Sequence, residues 1–182
     1  SYGLGTENAN LPAFVTICPT LAHGGVNNWG SAFLPAHYAG TPIGNASIKA
    51  KDAKVHHIKN PKWTPGQQRA QLDFLKQLNR DHLAGVPNPV LESRINSFEL
   101  AFRMQTAMPE IQDIRGETKA TRKLYGLDNA VTEDFGRQCL MARRFAERGV
   151  RFVQVTHSDS KVQWDQHGNL RKGHTEKASE VD

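Results

Sequence analysis

Two short apolar runs set what this chain can fold into. Ala13-Phe14-Val15-Thr16-Ile17-Cys18, closed by Pro19, is β-branched and apolar throughout, and reads as a strand buried on both faces. Val150-Arg151-Phe152-Val153-Gln154-Val155-Thr156 is the second such run. Two central-type strands cannot satisfy each other's outer hydrogen-bonding edges, so further strands are expected from a partner chain, by sheet-edge association, or from sequence beyond this chain. The expected fold class is α/β, with few sheet strands and a large helical middle. The 182 residues read as an internal fragment of a single larger domain covering 1–182.

The segment between the runs divides in two. Residues 19–63 are rich in Gly, Pro, Asn and His without a sustained period, which predicts an irregular loop region. Thr64-Pro65-Gly66-Gln67 is then a capping-box pattern with Pro at the first helical position, and Leu72, Leu75 and Leu78 suggest a buried stripe on a helix reaching about His82. Asn88-Pro89 restarts a helix. Its Leu91, Ile95, Phe98 and Phe102 fall at helical spacing, and Pro109 is expected to stop it, so the pair reads as a helical hairpin. Thr132 is the expected cap of a further helix, with Glu133 and Asp134 in its first turn, Arg143, Arg144 and Arg148 near its end, and Gly149 as its stop.

Composition excludes several classes. No apolar run approaches the roughly 18 residues that a membrane-spanning helix requires. The 23 Lys and Arg exceed the 18 Asp and Glu by five, a balance that favours anionic partners. These basic residues are spread over helices and loops instead of interleaved with aromatics, so no nucleic-acid partner is expected. Cys18 and Cys139 lack zinc-type spacing and read as buried free thiols. His23-Gly24-Gly25 has the look of an oxyanion-hole loop, yet no G-x-S-x-G accompanies it. Walker A, G-x-G-x-x-G and H-E-x-x-H patterns are absent. Asn45-Ala46-Ser47 fits a glycosylation sequon.

Site chemistry concentrates after the second strand. Ligands of α/β sheets gather at the carboxyl ends of strands, and here the chain exits through Thr156-His157-Ser158-Asp159 into Gln163-Trp164-Asp165-Gln166-His167. Asp165 and His167 supply one hard oxygen and one imidazole nitrogen, a pair that suits zinc, manganese or iron, and His157 and His174 are near enough in sequence to join them. The other reading of the same residues is a solvated polar loop. Trp164 reads as a packing anchor for that loop.

Longer blocks carry a family resemblance. Ser1-Tyr2-Gly3-Leu4-Gly5, Leu11-Pro12-Ala13-Phe14-Val15 and Asn28-Trp29-Gly30-Ser31-Ala32-Phe33-Leu34-Pro35-Ala36 open it. Glu99 to Gln105, Leu124-Tyr125-Gly126, Phe135 to Leu140, Ala142-Arg143-Arg144, Glu147 to Val153 and Trp164-Asp165 with His167 follow in order. Together they resemble the bacterial family called domain of unknown function 1501, whose members are labelled sulfatase-like. The resemblance implies part of an alkaline-phosphatase-like domain, from a superfamily of metal-dependent phosphatases, sulfatases and phosphomutases. It implies Asp165 and His167 as metal ligands in the family's W-D-x-H block, with His157 and His174 as neighbours, and a divalent metal such as zinc, manganese or calcium in the full-length protein.

The same resemblance implies an exported protein, periplasmic or extracytoplasmic, that hydrolyses a sulfate or phosphate ester. An anionic ester or sulfated glycan would be its substrate. Family members carry an upstream leader and first strand and a downstream G-E-F-G-R-type block, so the nucleophile is expected outside this chain and the chain alone is expected to be inactive. The alternative is a non-catalytic binding protein of the same fold for an anionic polysaccharide or a cell-surface partner.

Overall fold

Parallel pairing on both sides of the first apolar run organises the structure, a computed structural model that describes residues 3, 5–22, 24–55, 58–85, 88–157 and 164–182, with 83–85 and 89 as backbone only. Strand β1 (Phe14–Ile17) lies between β2 (Thr41–Ile43) and β3 (Phe152–Val155), in the order β2-β1-β3. Val15 faces Thr41 and Ile17 faces Ile43 on one side, while Phe14 faces Phe152 and Ile17 faces Val155 on the other. The protein is thus mixed α/β with a small three-stranded parallel sheet.

Two expectations about the sheet are corrected. The stretch read as irregular contributes β2, so β1 finds both of its neighbours within this chain. Three residues centred on Pro42 are too few to show a period, and proline is tolerated there because β2 is an edge strand. The run from Val150 is not buried on both faces: among the described residues it lies at the sheet edge, and Phe152 is 53% exposed, although its ring meets that of Phe14 edge-on at 4.9 Å. The other described residues of 19–63 include three short 3-10 turns, at Gly25–Asn28, Ala36–Tyr38 and Ala50–Asp52.

Helix α1 (Pro65–Gly85) begins with the expected box: Thr64 N–H donates to Gln67 Oε1 at 2.9 Å and Gln67 N–H donates to Thr64 Oγ1 at 3.3 Å. Its leucine stripe is not buried, since Leu75, Leu78 and Phe74 are all exposed. The hairpin with α2 (Pro89–Gln112) is held by polar groups instead. Arg69 donates to both oxygens of Glu99, at 2.9 and 2.6 Å, and its guanidinium lies 5.1 Å from the Phe102 ring centre.

Asn88 caps α2 by accepting from Val90 N and Leu91 N. The buried face is not the one through Leu91 and Phe98, which is half exposed; it runs through Met104, Met108 and Ile111. Pro109 lies inside this helix, not at its end. It removes one backbone bond, and the complete burial of Met108 and Ile111 on either side offsets that loss.

After the short α3 (Lys119–Leu124), α4 (Glu133–Glu147) returns to the sheet. Thr132 precedes it but makes no side-chain cap; its hydroxyl donates to the Gly126 carbonyl at 2.8 Å. The far end is a Schellman turn, with Gly149 at φ 84°, Gly149 N–H to Ala146 O at 3.0 Å and Val150 N–H to Phe145 O at 3.1 Å. That turn delivers the chain directly into β3. Val15, Ile17 and Ile43 of the sheet, Met104, Met108 and Ile111 of α2, and Met141 and Phe145 of α4 form one buried cluster. The last element is α5 (Leu170–Ser179). No helix among the described residues is long and apolar enough to cross a membrane.

Candidate functional site

The carboxyl ends of the three parallel strands converge on one side of the molecule. β1 ends at Ile17 and passes into Cys18, whose backbone holds a left-handed φ of 48° while its N–H donates to Ile43 O at 2.9 Å. Such a conformation in a residue with a Cβ is strained and marks a constrained exit. The Cys18 thiol is pushed up to about 12, first by burial and then by the charge of Asp134, so it is neither a nucleophile nor a thiolate ligand near neutral pH. Both cysteines are free. Cys18 is buried as expected, whereas Cys139 is only half-buried.

β3 exits through Thr156 into His157, which is mostly buried. Its ring meets Phe135 of α4 and Trp164 edge-on, at 5.2 and 5.5 Å. Trp164 Nε1–H donates to His157 Nδ1 at 3.1 Å, and an indole nitrogen can only donate. His157 Nδ1 must therefore be unprotonated, and the proton sits on Nε2, from which it is donated to Glu180 Oε2 at 3.0 Å. Both ring nitrogens are thereby occupied in a neutral tautomer. Burial raises the Glu180 carboxyl, but hydrogen bonds from Lys177, at 2.8 Å, and His157 outweigh it and hold the group below its ordinary value.

The other expected ligands form separate contacts. His174 Nε2–H donates to the Trp164 carbonyl at 3.1 Å. Asp165 Oδ2 and His167 Nε2 are 3.0 Å apart on the surface, where both side chains are exposed. Together they present one oxygen and one nitrogen donor of the kind a divalent transition metal accepts. Among the described residues, no three His, Cys, Asp or Glu side chains converge on one metal position. The fit to a divalent ion thus extends to two donors. Ser158, Asp159 and Gln163 of the same run, and His23, lie outside the described residues.

Beside His157 lies a cavity of about 480 Å³. Ser47 and Lys49 enter it from the loop after β2, Asp134 and Gln138 from α4, His157 from β3 and Glu180 from the end of α5. Asp134 Oδ1 accepts from Ala50 N–H at 2.8 Å, tying the first turn of α4 to that loop. Gln138 is 3% exposed, and its Oε1 has no hydrogen-bond partner among the described residues. Two cations, two carboxylates, a hydroxyl, an imidazole and an unsatisfied amide therefore surround one polar cavity. Such a lining offers a hydroxyl and a cation, Ser47 and Lys49, to an anionic group, and an amide and carboxylates to hydrogen-bonding groups.

Sequence reasoning missed most of this lining. Glu180 meets His157 across 23 residues of chain, and no spacing rule announces such a pair. Gln138 did leave a signal, as an amide one turn beyond Asp134 on the helix side that also buries Met141 and Phe145.

A family model described as protein of unknown function, DUF1501, matches residues 1–182. No curated protein and no solved structure matches the chain.

Proposed function

We propose, from the premise that the chain belongs to the DUF1501 family, that it is part of an exported metal-dependent hydrolase of sulfate or phosphate esters with an alkaline-phosphatase-like fold. The observation that carries this reading is the cavity at the carboxyl edge of the parallel sheet, where His157 leaves β3 beside Trp164, Lys49 and Ser47. Ligands of parallel sheets bind at that edge. Asp165 and His167 would supply two ligands to a divalent ion, with further donors completing the set. When bound, such an ion polarises the ester oxygens and stabilises the charge of the transition state.

The chain's own residues orient the substrate. Lys49 and Ser47 offer a charge and a hydroxyl to the anionic group, and Gln138 supplies an amide toward the alcohol portion. Glu180 and Trp164 fix the ring of His157 from opposite nitrogens, so it presents a rigid apolar edge to the cavity and keeps its proton on Nε2.

Metal analysis and turnover of 4-nitrophenyl sulfate and 4-nitrophenyl phosphate by the protein expressed from its whole gene test this. Bound divalent metal, with both metal and turnover lost together in Asp165→Ala/His167→Ala, is the expected result. A metal-free protein that turns over neither ester overturns it.

A further inference from the structure

The fold contains a second polar groove, remote in sequence from the carboxyl-edge residues, and we propose that it binds an acidic oligosaccharide. It has a volume of about 520 Å³ and lies where the first turn of α1 meets α2 and the segment before β1. Asn10, four residues ahead of β1, places it toward the amino end of that strand, whereas the cavity beside His157 lies at the carboxyl end. Trp63, Gln68, Arg103, Gln105 and Lys59 are its other principal residues.

Each has a distinct use toward a charged sugar. Trp63 is 43% exposed, and a flat indole face accepts the C–H face of a pyranose ring. Asn10, Gln68 and Gln105 each carry a donor and an acceptor on one planar group, which matches adjacent hydroxyls. Lys59 and Arg103 supply two cations, and no Asp or Glu is among the described residues lining the groove. Glu99 lies one turn from Arg103, but both of its oxygens are engaged by Arg69. Arg103 is therefore placed to take a sulfate or carboxylate in a two-pronged contact.

The same features argue against the other polyanion of similar charge. A single-stranded nucleic acid needs successive aromatic platforms along a basic track. Here Trp63 is the one open platform among the lining residues, because the Phe102 ring is covered by the Arg69 guanidinium. A neutral glycan would leave both cations without a counter-charge. The groove goes beyond the ester-hydrolysis reading and requires no turnover at the carboxyl edge.

Isothermal titration with a chondroitin sulfate hexasaccharide tests the proposal, with maltohexaose and a twelve-residue oligothymidylate as comparison ligands and circular dichroism confirming that each variant is folded. The expected result is binding of the sulfated hexasaccharide that weakens about tenfold in Trp63→Ala and in Arg103→Gln. Lys119→Gln, on α3, and Asp165→Ala should each stay within about twofold of the unaltered protein. Maltohexaose should not bind. No binding of the sulfated hexasaccharide, unchanged affinity in Trp63→Ala, equal weakening by Lys119→Gln, or equal affinity for oligothymidylate overturns the proposal. Loss of hydrolysis in Asp165→Ala with binding retained would separate this groove from the carboxyl-edge site.

Discussion

Replacing Arg144 by alanine should be among the most damaging changes on the surface of α4. Its guanidinium fastens the end of α2, where Nε donates to Ile111 O at 2.8 Å and Nη2 donates to Glu110 O at 2.9 Å and Asp113 O at 3.0 Å. Those carbonyls belong to the last turn of a helix and its cap, which lack intrahelical donors and sit at the negative end of the dipole. Nη1 also donates to Glu117, whose side chain is 10% exposed. Removal leaves Glu117 nearly buried with Arg143 Nη2, at 3.0 Å, as its remaining guanidinium partner. Breaking a buried ion pair at one end costs about 3–5 kcal/mol. In a chain of this length that is a fall in Tm of roughly 6–20 °C.

Arg143→Ala is the internal comparison. Arg143 is 34% exposed and pairs with Glu117 and Glu147 from the solvent side, so its loss should cost about 1 kcal/mol or less. Equilibrium urea unfolding, followed by far-ultraviolet dichroism and tryptophan fluorescence together, measures both. Acid provides a second reading. The hydrogen bond from Arg144 holds the Glu117 carboxyl below its ordinary value, so the stabilisation is present above the unfolded-state value of about 4.3 and is lost as pH falls through the lower folded-state value. The gap between the unaltered protein and Arg144→Ala should therefore narrow in acid. A loss below about 1 kcal/mol, equal losses for the two arginines, or a gap independent of pH down to about 3 would refute the reasoning.

Gly136→Ala should lower Tm, although the same change in an exposed helix interior typically stabilises by roughly 1 kcal/mol. A Cβ there would overlap the Tyr125 carbonyl oxygen, a backbone atom that cannot turn aside; an unchanged or raised Tm in differential scanning calorimetry would contradict this. Iodoacetamide at pH 8 should modify half-buried Cys139 well before Cys18, whose thiol is pushed up to about 12 by burial and by Asp134. Equal rates for the two thiols in the native protein, read by peptide mass spectrometry, would contradict the placement of Cys18.

The helix ends were legible because their determinants lie within a few residues of one another. Thr64 and Gln67 exchange bonds across three positions, Asn88 caps the two residues after Pro89, and Gly149 supplies the left-handed turn that sends α4 into β3. Thr132 shows the limit of such rules, since its hydroxyl finds the Gly126 carbonyl across a turn instead of capping α4. The exposed Leu75 and Leu78 show another. Helical spacing says which residues share a face, but whether that face meets a partner depends on where α2 sits, and α2 meets α1 through Arg69 and Glu99.

The site divides along the same line. By itself the sequence determined that this is an α/β chain, that β1 and β3 exist, and that acid–base and ligand groups crowd the exit of β3. Tertiary structure alone decided that β2 flanks β1, that Glu180 and Trp164 occupy the two nitrogens of His157, and that Asp134 and Gln138 line the adjacent cavity. The reason is physical: caps and turns are local bargains between neighbouring backbone and side-chain groups. Strand neighbours, buried faces and the partners of a buried imidazole are chosen by contacts that exist only after distant segments have been brought together.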